Sequence, residues 1–352
     1  MRRDAEAFIP RQDLIAELEN EVVSPRGCPG ILLYGRRRLG KSTLLRNLEG
    51  FLPDKVLPMI VSMQNPEAFT SEADLIETLA REIGKGWSPA EKLAPRPKDL
   101  RTLFQFLDAC EAGLEREDRR LLLAVDEFEA IDRTIGEGQM TEDLLAALRE
   151  SIQSHRRICW LFAGSHDLHE LPDVRWTSYF VSVRTAEMHS FTLEETRLLL
   201  TDPLKHSPRA EARTAAGRAK FGGTFWGEVG IDTIHEQAGG WPHLVQAIAA
   251  TVVDLCNLCG RATADPGLID EALSKTVVSS GSVLAELMLY RSVEFPETWD
   301  YLARFRARDE QPPPEDDVLR RRLKRYLLVT ETPSGHWRLR VPLMQRWLRE
   351  RA

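Results

Sequence analysis

Cysteine is scarce in this sequence, and its count is odd. The 352 residues include five cysteines, which argues against the disulfide framework of a small secreted protein. Cys256 and Cys259 have the C-x-x-C spacing of a metal site, but they lie in an apolar helical stretch without a second ligand pair. We therefore interpret both as buried small hydrophobic residues. This usage is typical of a reducing compartment, so we expect the protein to be cytoplasmic.

Long apolar runs are missing as well. No hydrophobic segment approaches the length of a membrane span and the amino terminus has no signal-peptide core, so no membrane partner is expected.

Basic residues are not in excess over acidic ones either. The net charge of -7 argues against a protein that coats nucleic acid along its whole surface, although it allows a local basic patch. The length predicts two or three domains with sizeable cores.

One loop fits the pattern G-x-x-x-x-G-K-[ST] at every fixed position. Its residues are Gly35, Arg36, Arg37, Arg38, Leu39, Gly40, Lys41 and Ser42. Polyphosphate needs several converging backbone N–H donors, and glycine permits that close approach. Lys41 supplies a charge for the β- and γ-phosphates, and Ser42 supplies a hydroxyl for Mg²⁺. The apolar run Ile31–Tyr34 precedes the loop and leucines at helical spacing follow it, which predicts the strand-loop-helix of a nucleotide-binding P-loop.

A second landmark is the apolar run 121–125, which ends in Asp126 and Glu127. Such a run is typical of a central parallel strand, and ligands bind at the carboxyl end of such strands. We expect Asp126 to hold Mg²⁺, directly or through water, and Glu127 to polarise the attacking water as a general base. Catalysis would then rest on Glu127 and Lys41. The alternative is a strand followed by an ordinary acidic helix cap.

Apolar runs predict the remaining strands of the sheet. They are expected at 56–61, 158–164 and 179–184. Pro58 removes a hydrogen-bond donor, which indicates an edge strand. Five strands alternating with helices predict an α/β fold with a doubly wound parallel sheet.

Ser165 directly follows the run 158–164. A polar group at the end of that strand could sense the γ-phosphate, and the alternative is a simple turn serine. His166 and His169 are interpreted as loop residues.

The pattern becomes almost entirely helical after a capping box at Thr192. Residues 205–227 lack periodicity, which predicts a long, mobile loop. Two glycines at 239–240 break one helix, and Pro242 suits the first turn of the next, which is expected at 243–258. This region is predicted to be a helical lid domain.

The carboxyl-terminal region predicts a winged helix-turn-helix. Two helices and a Pro-rich acidic loop precede a basic helix, and strands at 327–330 and 337–341 flank a hairpin signal. The basic helix carries candidate DNA contacts, namely Arg320, Arg321, Arg322, Lys324 and Arg325. The alternative is a solvated helix face in a protein-binding winged helix. We slightly favour this alternative, because the surrounding chain is acidic and no base-reading side chains accompany the arginines.

These features together resemble the STAND class of P-loop ATPases, close to archaeal-type ATPases and AAA+ relatives. The likeness covers nearly the full length. Residues 34–42 are similar to the Arg-rich Walker A motif of the class, 125–127 to its Walker B motif, and 341–348 to the end of its winged helix. Residues 8–11 are similar to its F-x-G-R motif, with Pro10 in place of the usual glycine.

The resemblance implies further nucleotide contacts. Arg11 and Pro242 would contact the nucleotide from outside the sheet, and Pro242 lies in a segment similar to the GxP element whose proline contacts adenine. Thr43 would lie near the α-phosphate. Arg175 and Arg184 are candidates for an arginine finger by position alone.

The resemblance also implies an organisation and a function. A P-loop ATPase domain would occupy residues 1–190, a helical lid 191–278 and a winged helix 279–352. The protein would be a slowly hydrolysing switch with ATP and Mg²⁺ as cofactors, and it would self-assemble in the ATP state. An effector or sensor would be encoded separately, or this chain would be the core of a larger product. The alternatives are a DNA-dependent ATPase or loader, and a scaffold that holds nucleotide without turnover.

Overall fold

The computed structural model describes residues 7–65, 70–207, 222–289 and 293–350. The chain forms two compact units. The first comprises residues 10–36 and 40–189, and the second comprises residues 190 onward together with 7–9 and 37–39.

A five-stranded parallel sheet forms the centre of the first unit. Its strands are β1 (Ile31–Tyr34), β2 (Val56–Ser62), β3 (Arg120–Asp126), β4 (Ile158–Gly164) and β5 (Arg184–Glu187). Their order is β2-β3-β4-β1-β5, and all four neighbouring pairs are parallel. Every residue of β3 and β4 is buried, because unbroken apolar strands can be covered on both faces. The predicted parallel α/β sheet is confirmed, and Pro58 lies in an edge strand as expected.

The helices of the first unit place their apolar stripes against this sheet. They are α1 (Gln12–Val22), α2 (Lys41–Asn47), α3 (Glu72–Gly86), α4 (Ala90–Leu93), α5 (Leu100–Arg116), α6 (Glu129–Gly136), α7 (Asp143–Ser154) and α8 (Trp176–Tyr179). Local sequence fixes several helix ends. The hydroxyl of Ser71 accepts from Asp74 N (3.2 Å) at the start of α3, and Asp99 forms a capping box with Thr102 at α5.

The prediction of a strand at 179–184 is wrong. Phe180 directly follows α8 and packs edge-on against Phe162, with ring centroids 5.0 Å apart. The strand β5 begins only at Arg184, and of its four residues Ala186 alone is buried. An exposed edge strand has no apolar run, so hydrophobic pattern points instead to the buried aromatic segment before it.

The second unit is almost entirely helical. Its helices are α9 (Leu193–Thr201), α10 (Gly230–Ala238), α11 (Pro242–Cys259), α12 (Pro266–Ser279), α13 (Gly281–Met288), α14 (Pro296–Ala303), α15 (Asp317–Arg325) and α16 (Pro342–Glu350). The strands β6 (Val329–Glu331) and β7 (Trp337–Leu339) form an antiparallel hairpin. The assignments of helical lid and winged helix, and the boundary between them, stay predictions.

Two positions in this unit depend on glycine. Gly239 and Gly240 have φ angles of +57° and +69°, and a Cβ atom on Gly240 would lie 2.4 Å from the carbonyl oxygen of Phe191. They therefore permit the sharp break between α10 and α11. Of the predicted mobile loop 205–227, residues 208–221 lie outside the described residues.

Among the described helices, α11 alone is long and apolar enough to span a membrane by length and composition, with a mean hydropathy of 1.3. The sequence-based expectation that no such segment exists is wrong by this criterion. In the structure α11 packs against α12, and the hydroxyls of Thr251 and Thr276 meet across them at 3.1 Å. These contacts are those of a core helix.

Candidate nucleotide-binding site

The backbone of the loop after β1 is shaped by its glycines. Gly35 N donates to Gly164 O (3.2 Å), and a Cβ atom on Gly35 would lie 2.9 Å from Met188 O. Gly40 has a φ of +100° and precedes the first residue of α2. Arg38 is left-handed too, with a φ of +68°. The bend brings the positive N-terminal end of α2 to the loop, where anions bind.

Lys41 lies inside this loop. Its side chain is buried, and Nζ donates to Gly35 O (2.5 Å) and Arg36 O (3.3 Å). Arg36 is itself buried. Thr43 lies in the first turn of α2, and its carbonyl oxygen accepts from Asn47 Nδ2 (2.8 Å). The ammonium group thus points into the loop, at the place where the motif requires a cation for phosphate.

Asp126 ends β3 and is 3% exposed. Burial raises the pKa of Asp126, while a hydrogen bond from Ser42 and the charges of Lys41 and Arg46 act in the other direction. Its Oδ1 atom is buried and has no hydrogen-bond partner among the described residues. A buried carboxylate oxygen beside a serine hydroxyl suits Mg²⁺, so the residues fit the cation that the motif implies.

Protein side chains alone do not complete a metal site here. In the described ranges there is no group of three or more His, Cys, Asp or Glu side chains that could hold a metal ion. A cation on Asp126 and Ser42 would take its other ligands from phosphate oxygens and water, as Mg²⁺ does in nucleotide sites. All five cysteines are free. Cys256 is buried as expected, but Cys259 is exposed, because it lies at the end of α11.

Glu127 follows Asp126 directly and is half-buried. Its φ is +57°, a left-handed conformation that costs a non-glycine residue about 1 kcal/mol. Ala130 N donates to Glu127 O (3.0 Å), so the chain turns at once from β3 into α6. Backbone strain of this kind is often found at functional sites. The role of Glu127 as a general base stays a prediction.

Glu129 is a functional candidate that the sequence patterns do not indicate. Its Oε1 accepts from Ser165 Oγ (2.9 Å), His166 Nδ1 (3.1 Å), His166 N (3.2 Å) and Ser165 N. Burial of Glu129 opposes ionisation, but the hydrogen bonds from His166 and Ser165 prevail and lower its pKa to about 2. The available signal was its position on the first turn of α6, three residues after Asp126.

The middle of the loop belongs to the second unit. Glu286 Oε1 accepts from Arg37 Nη1 (2.9 Å), and Glu286 Oε2 accepts from Arg38 Nη2 (3.1 Å). Burial raises the pKa of Glu286, but the two arginines outweigh it and the net pKa is lowered. Trp241 Nε1 donates to Arg37 O (3.1 Å), and Leu39 is fully buried. The positive charge of the loop is therefore partly offset by one carboxylate.

The residues assigned by resemblance come from both units. Arg11 precedes α1 in the first unit, and Pro242 opens α11 in the second. Their nucleotide contacts stay predictions. Of the two arginine-finger candidates, Arg184 forms an ion pair with Glu21, and Arg175 precedes α8 as an exposed residue.

Acidic neighbours offset much of the basic charge on α15. Three of its basic residues have acidic partners, in the pairs Arg320–Asp317 (3.2 Å), Arg322–Glu297 and Lys324–Glu331 (3.4 Å). The guanidinium of Arg322 also lies 3.6 Å from the ring centroid of Phe295. Arg321 and Arg325 are exposed.

Comparison with known proteins agrees with this geometry. Residues 25–171 match a family described as AAA domain. The Walker-type ATPase PABY2304 of Pyrococcus abyssi is similar with 18% identity and a TM-score of 0.62, over 99% of this chain and 98% of that chain. The ORC2 protein of Aeropyrum pernix, in its ADPNP-ADP complexes, is similar with 16% identity and a TM-score of 0.54, over 99% and 96%. No curated protein matches the sequence. The chain therefore has the α/β fold of P-loop ATPases, and its residues 25–171 are similar to AAA domains.

Proposed function

We propose that the protein is an ATP-binding switch of the STAND or AAA+-like kind, which hydrolyses ATP slowly and couples its nucleotide state to assembly or to signalling. One observation carries this proposal. The loop that surrounds the Lys41 ammonium lies beside Asp126, whose buried oxygen lacks a partner among the described residues. A cation and an open carboxylate acceptor at the carboxyl edge of a parallel sheet suit a magnesium nucleotide.

The residues of the site would divide the work. Backbone N–H groups of the loop and Lys41 would bind the phosphates, and Lys41 Nζ would exchange its two carbonyl partners for phosphate oxygens. Ser42 and Asp126 would hold Mg²⁺, which supplies charge neutralisation on the transferred phosphoryl group when bound. Glu127 would orient the attacking water.

The site is tested by binding and turnover measured separately. We expect Lys41→Ala to abolish ATP binding in a calorimetric titration, and Glu127→Gln to keep binding but stop phosphate release. Lys85→Ala is the matched control, because Lys85 is exposed on α3, where its ammonium forms an ion pair with Glu82 (2.7 Å). Unchanged ATP affinity after Lys41→Ala would refute the site, and undiminished hydrolysis after Glu127→Gln would remove Glu127 from its role.

The switch is tested by size-exclusion chromatography with light scattering. We expect self-assembly with a non-hydrolysable ATP analogue and Mg²⁺, and a smaller species with ADP or without nucleotide. The effector or sensor would be a separate cytoplasmic protein that recognises one of these forms. A mass that does not change with nucleotide would contradict an assembly switch.

The alternative, a DNA-dependent ATPase or loader, has less support because acidic neighbours engage three basic residues of α15. Exposed Arg321 and Arg325 are the residues through which it would bind duplex DNA. Neutralising both should then weaken binding and flatten its salt dependence by about one charge each. Assembly that occurs only when duplex DNA is present would favour this alternative.

A further inference from the structure

The crest of the phosphate-binding loop, which we define as residues 37–39, has a conformation that its own sequence does not favour. Arg38 has a φ of +68°, a left-handed angle at which the Cβ atom crowds the backbone, and the crest contains no glycine. A loop that keeps such a shape without phosphate has its N–H groups ready for the anion. Contacts from outside the loop are therefore needed to stabilise the crest.

Residues of the second unit, to which the crest itself belongs, supply these contacts. Glu286, on α13, uses one oxygen for each arginine. Oε1 accepts from Arg37 Nη1 (2.9 Å), and Oε2 accepts from Arg38 Nη2 (3.1 Å) and Nε (3.4 Å). Burial raises the pKa of Glu286, but the hydrogen bonds from the two arginines outweigh it, so the carboxylate is ionised at neutral pH. Bonds to an ionised acceptor are strong, and a guanidinium that donates through two nitrogens is held in one orientation.

Trp241 fixes the peptide group between the two arginines. Its Nε1 atom donates to Arg37 O (3.1 Å). In a trans peptide the carbonyl and the following N–H group point in opposite directions, so the N–H group of Arg38 points away from Trp241. Fixing this carbonyl therefore also fixes the direction of an N–H group in the stretch that binds phosphate. Leu39 completes the crest with a fully buried side chain.

We propose that Glu286 is a positioning residue for the phosphate-binding loop, which holds Arg37 and Arg38 together and so keeps the crest in one conformation before a nucleotide arrives. The inference rests on the proposed function, because it concerns how the same loop binds its nucleotide. Glu286 acts through the two arginines and does not itself touch the nucleotide. Its effect is on affinity, because a loop that is already ordered loses less conformational entropy on binding. ADP and ATP should be affected alike, since the loop holds phosphates that both contain.

Reversing the charges separates positioning from the electric field around the loop. Glu286→Arg makes the surroundings of the phosphates more positive, and Arg38→Glu makes them more negative by the same amount. An effect of the field alone would strengthen nucleotide binding in the first variant and weaken it in the second. Positioning instead predicts that both variants bind more weakly, by about fivefold for Glu286→Arg and by more for Arg38→Glu, because both break the same ion pair.

The double variant, Glu286→Arg with Arg38→Glu, restores a pair of opposite charges and the net charge of the wild type. It should bind nucleotide more tightly than either single variant, whereas the field alone would place its affinity between theirs. Affinities for ADP and for a non-hydrolysable ATP analogue, each with Mg²⁺, are measured by calorimetric titration of the full chain. Their ratio should stay as in the wild type in every variant.

Two milder changes complete the test. Glu286→Gln should weaken both affinities about threefold, because its amide oxygen can still accept from one arginine. Glu271→Ala is the matched control and should change neither affinity, because Glu271 is exposed and pairs with Lys275 on its own helix, α12 (2.8 Å).

An affinity of Glu286→Arg that equals or exceeds that of the wild type would overturn the inference. A double variant whose affinity lies between those of the two single variants would overturn it as well. Should Glu286→Arg fail to fold, wild-type affinity in Glu286→Gln would overturn it by itself. If the wild-type protein binds neither nucleotide, the proposed function fails instead.

Discussion

Replacing Asp126 by asparagine should stabilise the protein without nucleotide and make it insensitive to Mg²⁺ and ATP. In the folded state burial raises the pKa of Asp126, so the neutral form is favoured there and the ionised form is held at a cost. The substitution removes the cost of holding a buried charge, but the amide still leaves one buried polar atom without a partner and loses the attraction of Lys41. We therefore expect a net gain of no more than about 1 kcal/mol. Such a gain corresponds to about 2–4 °C in the melting temperature of a domain this large.

The assay is thermal denaturation with and without an ATP analogue and Mg²⁺. Ligand at a hundred times its Kd should stabilise the wild type by about 2.7 kcal/mol, and the Asp126→Asn variant should lose this response. Because a raised folded pKa means that protonation stabilises the folded state, the advantage of asparagine should shrink as the pH falls toward that pKa. Asp54→Asn, a change at an exposed residue of the same unit, is the control. It should leave the melting temperature unchanged both without and with ligand. A lower melting temperature for Asp126→Asn without ligand would refute the reasoning.

Three further changes test the packing around the site. Gly164→Ala should lower stability and move the strand end, because its Cβ atom would lie 2.7 Å from Glu129 Cδ; urea denaturation measures the loss, and unchanged stability would contradict it. The pKa of Glu129 is about 2 in the folded protein and higher in the unfolded chain, so ionised Glu129 stabilises the folded state at any pH above the unfolded value. This stabilisation is lost as the pH falls toward 2, so Glu129→Gln should flatten the acid limb of a stability-pH profile. Ser151 Oγ accepts from Trp160 Nε1 (2.9 Å) and forms a hydrogen bond with His155 Nδ1 (2.9 Å), so Ser151→Ala should cost about 1–3 kcal/mol in the free energy of unfolding, and a neutral result would contradict this expectation.

Sequence was sufficient where local chemistry alone dictates structure. The glycines, Lys41 and Ser42 of the loop occupy a strand-loop-helix, and the run before Asp126 is a buried central strand. These patterns are local, because a phosphate-binding loop needs specific residues at consecutive positions. The parallel sheet could be predicted for the same reason, because long apolar runs alternate with amphipathic helices along the sequence.

Features that depend on distant neighbours could not be predicted. Glu129 meets Ser165 only after β3 and β4 pair, and no spacing in the chain announces that contact. The basic residues of α15 show the converse. The acidic composition of the surrounding chain already favoured a solvated helix face over a polyanion site, but only the fold shows that Glu297 and Glu331 pair with two of the five basic side chains. The misplaced fifth strand has a related cause, because an edge strand is defined by its partner and not by its own hydrophobicity.

The order of the sheet has a consequence for how copies of this chain can associate. Among the residues that the structure describes, the outer strands β2 and β5 each pair with a neighbour on one side only. A further strand could add at the other side. Pro58 interrupts the hydrogen-bonding groups of β2, and three of the four residues of β5 are exposed, including the charged Arg184 and Glu187. Prolines and charges at such positions oppose the endless growth of a sheet from one molecule to the next. The proposed nucleotide-driven oligomers should therefore form through helical or loop surfaces and not by strand addition.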